Sequence, residues 1–397
     1  TLEGGNLDAV LDVERLDGPG GTLDLDVVYR REDATIDLGL SLVEPPNGVL
    51  ANLLNIQDRP AMTLTLDGEG PVADLTTQMQ LLANDQTALA GTATIAQQAD
   101  GFAINANLGG PLSTLVALPY RDFFGAETRL TTSALVKSAG GIDISNLTLS
   151  GGQLGLTARA QTTADNFVSL LDLTATIADP DGDKVILPVP GSSTLVQGGQ
   201  LRVAFGTEAS DQWQARIDVE GLETDGFDAQ TFGLGIGGVA RDLEDPASRM
   251  VTFNGDGAVS GVSADPGVEA ALGTSVGLGI AGLWTAGAPI ELAELRVVGQ
   301  ALTAAVAGEI DGTDFDGQIR LATDSIAPFS ALAGRSLSGG LELTADGQIF
   351  PLTGGFDLVF DGTGTNLRID DAAADALLAG RVDLLGRLAR TEAGISA

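Results

Sequence analysis

The sequence of 397 residues contains no cysteine and no histidine. That excludes disulfide bonds, thiolate nucleophiles and Cys-based metal sites, and leaves no imidazole base to activate a serine. Aromatic residues make up only 4%, too few for stacking platforms, and 20 Lys and Arg stand against 54 Asp and Glu, a formal charge of −34. With no basic patch to grip phosphates, no nucleic-acid partner is expected, and attraction to an anionic membrane surface is disfavoured. No run of eighteen or more apolar residues occurs, so no helix of this stretch is expected to span a membrane. The opening at Thr1 shows no signal peptide and reads like the middle of a longer chain.

What the chain does have is one short pattern written many times. Thr22-Leu-Asp-Leu-Asp-Val27, Thr35–Leu42, Met62–Asp67, Leu147–Ser150, Leu341–Thr344 and Phe356–Asp361 all alternate apolar and polar residues. Side chains on a strand point to opposite faces with period two, so each segment builds one apolar and one polar face. Asn-Asp and Asp-Pro pairs, Ala99-Asp-Gly101, Gly140-Gly141, Asp346-Gly347 and Asp361-Gly362 read as turns between these strands. Helical patterns are few and short: Pro46–Ile56, Leu112–Phe124 (broken at Pro119), Pro266–Leu272, Phe329–Leu332 and Ala372–Leu378. They are expected to sit on the sheet as plugs or caps. The expected fold is all-β: an elongated, mostly antiparallel, twisted sheet folded over into a hydrophobic groove, a β-taco, with a few short helices. It is read as one continuous segment over 1–397, with a candidate seam near 179–199.

Part of the pattern repeats at long range. Ile142–Leu154 lies on Ile290–Leu302 without a gap, an offset of 148, and Gly125 and Gly273 keep the same offset. The shared template is I-acid-x-x-x-L-x-aliphatic-x-G-x-x-L, which points to repeated strand units rather than one round core.

Three motifs suggest chemistry and fail on inspection. Gly273-Thr-Ser275-Val-Gly277 matches the nucleophile elbow, but the chain has no histidine to take the serine proton. Gly277-Leu-Gly279-Ile-Ala-Gly282 matches a dinucleotide fingerprint, yet Leu283–Pro289 cannot open the helix that motif needs. Asp179-Pro-Asp181-Gly-Asp183 starts like a calcium loop, but Lys184 and Pro190 occupy its sixth and twelfth positions. The expectation is a protein that is not an enzyme, with no catalytic residues, no metal site and no cofactor.

The residues expected to line the groove are those on the apolar phase of their strands: Leu23, Leu25, Ile36, Leu38, Leu64, Leu66, Leu147, Leu149, Leu295, Val297, Leu341 and Leu343. Their neighbours Asp24, Asp37, Thr65, Thr148, Arg296 and Glu342 are expected to face water.

Arg59–Leu75, Pro119–Gly125, Ala178–Gly191 and Asp375–Arg381 carry a resemblance to a known family. These phrases resemble the TamB family of translocation and assembly module subunits of proteobacteria, within the wider AsmA-like, bridge-like lipid-transfer group. The likeness runs over most of the chain and rests on turn and strand phrases, not on catalytic signatures. It implies a periplasmic protein held to the inner membrane by a segment outside this chain. It implies phospholipids as cargo, and an outer-membrane barrel partner of the TamA type met through regions outside this segment. The function expected is a periplasmic bridge segment whose aliphatic groove carries phospholipid acyl chains between inner and outer membrane. The alternative is a scaffold, chaperone-like, that offers strand edges for assembly of outer-membrane proteins. A passive β-solenoid is disfavoured because the repeats are long and irregular.

Overall fold

The computed structural model describes residues 2–396 apart from positions 4, 17, 19, 54, 55, 57, 190–192, 207–210, 352, 392 and 393. The chain falls into two compact units, Thr1–Gly191 and Ser192–Ala397. The division lies inside the expected seam at 179–199, of which 190–192 are outside the described residues.

The first unit is an antiparallel meander in which each strand pairs with the next. It runs through β1 (Leu2–Glu3), β2 (Asn6–Glu14), β3 (Thr22–Arg30), β4 (Thr35–Glu44), β5 (Met62–Pro71), β6 (Leu75–Ala83), β7 (Gln86–Gln98), β8 (Gly101–Gly110), β9 (Thr128–Lys137), β10 (Ile142–Ser150), β11 (Leu154–Thr162) and β12 (Val168–Ala178). The short β13 (Val185–Ile186) follows.

In the second unit β14 (Leu195–Val196) and β15 (Gly198–Phe205) pair with β16 (Gln212–Thr224). Next come β17 (Phe227–Arg241), β18 (Met250–Ser260) and the two-residue β19 (Ser263–Ala264). The meander continues through β20 (Ser275–Thr285), which pairs with β18, then β21 (Ile290–Val298), β22 (Thr303–Asp311), β23 (Asp314–Thr323), β24 (Ser338–Phe350), β25 (Gly355–Arg368), β26 (Arg381–Thr391) and β27 (Gly394–Ser396).

Helices form where the sequence breaks its alternation. They are α1 (Val49–Leu53) between β4 and β5, α2 (Arg121–Phe124) between β8 and β9, α3 (Pro266–Leu272) between β18 and β20, α4 (Ser330–Ala333) between β23 and β24, and α5 (Ala372–Leu377) between β25 and β26. Single 3-10 turns at Leu112–Leu115 and Leu118–Tyr120 precede α2. Of the expected helix Pro46–Ile56, residues 54 and 55 lie outside the described residues. Strands take 64% of the chain and helices 9%, so helices cover only a small part of the sheet. The connections of a meander alternate between the two ends of its strands. In each unit every one of these helical connections therefore falls at the same end, the helix rim, and short turns occupy the other.

The turn signals divide into two groups. Asn84 and Asp85, both at positive φ (47° and 61°), join paired Ala83 and Gln86 as a two-residue hairpin of the I′ kind. Ala99 and Asp100, neither at positive φ, join Gln98 to Gly101 in a two-residue hairpin of another kind. Asp346-Gly347 and Asp361-Gly362 are not turns: they lie in the middle of β24 and β25. Their aspartates take the polar face and their glycines the apolar face. A Cβ at Gly347, which has φ +148°, would overlap the carbonyl oxygen of Asp357 on the neighbouring strand. A close backbone approach, and not a reversal, demands the glycine.

The repeat seen in the sequence is a repeat of structure. The β10 ladder slips between Ile144 and Leu147, and the β21 ladder slips between Leu292 and Leu295, equivalent positions at the offset of 148. Gly125 (φ 72°, ψ −175°) ends α2 and Gly273 (φ 73°, ψ −170°) ends α3. The N–H groups of Gly152 and Gln153 donate to the carbonyls of Phe124 and Phe123 at 2.9 and 3.0 Å. Those of Gln300 and Ala301 donate to Leu272 and Ala271 at 2.8 and 3.0 Å, and every partner keeps the same offset.

Candidate functional site

Residues paired directly across a ladder share a face of the sheet. Following the register from β2 to β12 gives one row: Leu11, Leu25, Leu40, Leu66, Met79, Gly91, Leu108, Leu130, Leu149, Leu156 and Ala175. At about 4.8 Å per strand the row runs roughly 48 Å across the first unit. No charge and no aromatic ring interrupts it. The rows beside it hold Leu23, Leu42, Leu64 and Leu81 on one side and Val27 and Leu38 on the other.

All twelve expected lining residues stand on the apolar side of their ladders. Leu23, Leu25, Ile36, Leu38, Leu64, Leu66, Leu147 and Leu149 belong to the first unit, and Leu295, Val297, Leu341 and Leu343 to the second. Eleven are half-buried, and Leu295 is 39% exposed, at the slip in the β21 ladder. The six polar neighbours stand on the opposite side. Asp37, Arg296 and Glu342 are open to water, whereas Asp24, Thr65 and Thr148 are half-buried. Cross-strand polar neighbours flank these three: Asp12 and Ser41, Ser41 and Gln80, Thr131 and Thr157.

The register also reveals residues that the alternation had not singled out. On the apolar side of the second unit stand Phe205, Trp213, Phe232, Phe253, Trp284, Phe315, Phe356 and Phe360. Trp213 faces Gly238, Phe253 faces Gly282 and Phe360 faces Gly386. The Trp213 indole N–H donates to the Thr252 carbonyl at 3.0 Å. Their strand phase was legible, but nothing local announced that rings and glycines would be opposite one another.

Burial varies along the apolar face of the first unit, and at the turn rim Leu75 is 4% exposed. At the helix rim Met62 is 1% exposed and Leu108 7%; at the turn rim Phe102 is 44% exposed and Val136 38%. Ala51 of α1, with Leu112 and Leu115 of the first 3-10 turn, joins the cluster formed by Met62, Leu81, Leu89 and Leu108. Glu44 also stands on this face, 5% exposed; its carboxylate accepts the N–H groups of Val49 and Leu50 at 2.9 and 2.7 Å and so holds the start of α1. A hollow of about 650 Å³ opens nearby, lined by Ile56, Leu115, Val116, Tyr120 and Arg59 among others.

The polar face carries surface ion pairs, Arg159 with Asp172 and Arg387 with Asp357, all substantially exposed and individually worth little. The Arg387 guanidinium, hydrogen-bonded to Asp357, holds that carboxyl below its ordinary value. Asp179 is lowered too, first by the Gln153 side-chain amide and then by backbone N–H groups of its own turn. Its carboxylate thus caps a turn. Ser275 begins a strand directly after a helix and pairs with Ser260, the reverse of the strand–turn–helix that an elbow needs. Gly277 to Gly282 lie inside the same strand.

These features define a class: an all-β protein of antiparallel sheets, each with one continuous apolar face that short rim helices cover only in part. What such a face offers is shelter for alkyl groups, on the order of 0.8 kcal/mol per methylene removed from water. No protein-family model, no curated protein and no solved structure matches this chain. Among the described residues no helix is long and apolar enough to cross a membrane.

Proposed function

We propose that this chain is a periplasmic bridge segment whose apolar face carries phospholipid acyl chains between the inner and outer membranes. The single observation that carries the reading is the aliphatic row from Leu11 to Ala175, which gives tails a continuous, chemically uniform track. Half-buried leucines shield a tail without enclosing it, so a lipid can slide with its head in water, and no covalent chemistry is required. The resemblance to the TamB family supports the same compartment, cargo and TamA-type barrel partner. The test is mass spectrometry of lipids extracted from the purified chain. Co-purifying phospholipid supports the reading; a preparation free of it, and unable to take phospholipid from vesicles, overturns it.

A second reading, a scaffold for assembling outer-membrane proteins, is favoured by one feature. All nine residues of β2 are exposed, and β1 pairs with it only at Leu7 and Asn6. Among the described residues the outer edge of β2 beyond Leu7 has no strand beside it, and such an edge can accept an extended peptide. Retention of an unfolded outer-membrane strand peptide by lipid-free protein would favour this reading.

A further inference from the structure

We propose that the two glycine-ended helical connections, residues 112–124 and 266–272, are hinged covers over the apolar face that open while the strands stay paired. Helices of four and seven residues do not persist by themselves in water. They are held from outside, by apolar packing and by hydrogen bonds. Leu112 and Leu115 pack on the cluster containing Leu89 and Leu108, and Leu272 packs on the cluster of Val259, Val262 and Val276. The last carbonyls of each helix are latched to the turn two strands further on: Gly152 and Gln153 donate in the first unit, Gln300 and Ala301 in the second.

The hinge sits against the latch. Gly125 and Gly273 adopt φ 72°, ψ −175° and φ 73°, ψ −170°, a region essentially closed to other residues. A Cβ at Gly125 would lie 2.8 Å from the Cα of Gly152, and one at Gly273 would lie 2.7 Å from the Cβ of Gln300. An alanine at either position therefore strains the hinge and pushes the latching turn away in one step. The strands beneath are joined by full ladders that do not pass through these contacts. Opening a cover breaks the two latching hydrogen bonds, and in the first unit also the one that the Thr128 hydroxyl donates to the Phe124 carbonyl. It frees buried Phe123 in the first cover and the packing of Gly267 on Leu332 in the second, and exposes the buried end of the face. Recurrence of hinge, latch and bulge at one offset makes the two covers equivalent devices. The inference stands on this geometry and does not depend on what occupies the face.

The test is hydrogen exchange on the full chain, read peptide by peptide, beside fluorescence of an apolar reporter dye. Wild-type amides of 112–124 and 266–272 should exchange faster than those of the flanking strands. Gly125→Ala should speed exchange of the first cover alone by about ten- to hundred-fold, and Gly273→Ala the second alone, each with more bound dye. Gly39→Ala is the control, since no heavy atom lies within 4 Å of a Cβ there. If cover amides exchange in step with the strands in wild type, or if the variants loosen the strands equally or change nothing, the proposal fails. Should Gly125→Ala not fold, Leu115→Ala decides: selective loosening of 112–124 upholds the cover, and unchanged exchange overturns it.

Discussion

In the first unit leucine faces leucine across successive strands, from Leu11 and Leu25 to Leu40 and Leu66. In the second unit Trp213, Phe253 and Phe360 each face a glycine, and the ring lies where the missing side chain would be. Both arrangements fill the space between neighbouring strands: one with two medium side chains, the other with one large and none. The same alternation therefore yields a closed apolar surface by two packing solutions. The difference lies in tolerance. A leucine ladder can lose volume by degrees, whereas a ring over a glycine has no room for addition.

The largest effect follows from that contrast. A Cβ at Gly282 would overlap both the Phe253 ring and the Glu291 carbonyl. Gly282→Leu should cost about 3 kcal/mol or more in the second unit. Both tryptophans, Trp213 and Trp284, lie in that unit, so a urea titration followed by tryptophan fluorescence should show an earlier midpoint. An unchanged midpoint would remove the ring-over-glycine account.

Next comes Glu44, which holds α1 in the first unit. Glu44→Ala leaves the N–H groups of Val49 and Leu50 without their acceptor near a buried cluster, at a cost of about 1–3 kcal/mol. Faster amide exchange confined to 49–53 is the expected sign. Leu66→Ala, at a half-buried position of the leucine row, should cost less, about 1–2 kcal/mol. A penalty as large as that of Gly282→Leu would mean that the two units tolerate change alike.

The smallest effect concerns the polar face. Asp357 has its folded pKa depressed below the ordinary carboxylate value by the hydrogen bond from Arg387. Its contribution is therefore present above the unfolded value and is lost as pH falls through the folded one. Asp357→Asn should lower the urea midpoint slightly at neutral pH and not at all once the wild-type carboxyl is protonated. A difference that persists in acid would assign the effect to packing instead.

Much of this was legible in the sequence because period two is a local property. Leu23, Leu25, Leu64 and Leu66 needed only their own neighbours to declare a face, and the repeat at 148 needed only Ile142 and Ile290 laid together. The failures share a cause. Asp346-Gly347 has the composition of a turn, and only the adjacent strand, with the Asp357 carbonyl against the glycine, explains why it is not one. Phe253 and Gly282 meet through a register that neither segment encodes alone. Glu44 ends a strand like any polar residue, and its role depends on where α1 begins. That the helices share a rim follows from strand parity, which requires every strand to be counted first.

The central claim, that the apolar face holds acyl chains, is tested most directly by a matched pair on one strand. Leu149 stands on the aliphatic row, and Thr148, beside it, points to the other face. Both are half-buried, so an aspartate at either position stays within reach of water and the sheet is expected to remain folded by circular dichroism. Phospholipid bound to the purified chain is then measured for Leu149→Asp, Thr148→Asp and wild type. The account predicts a clear loss for Leu149→Asp and wild-type content for Thr148→Asp; equal, undiminished lipid on both folded variants would contradict it.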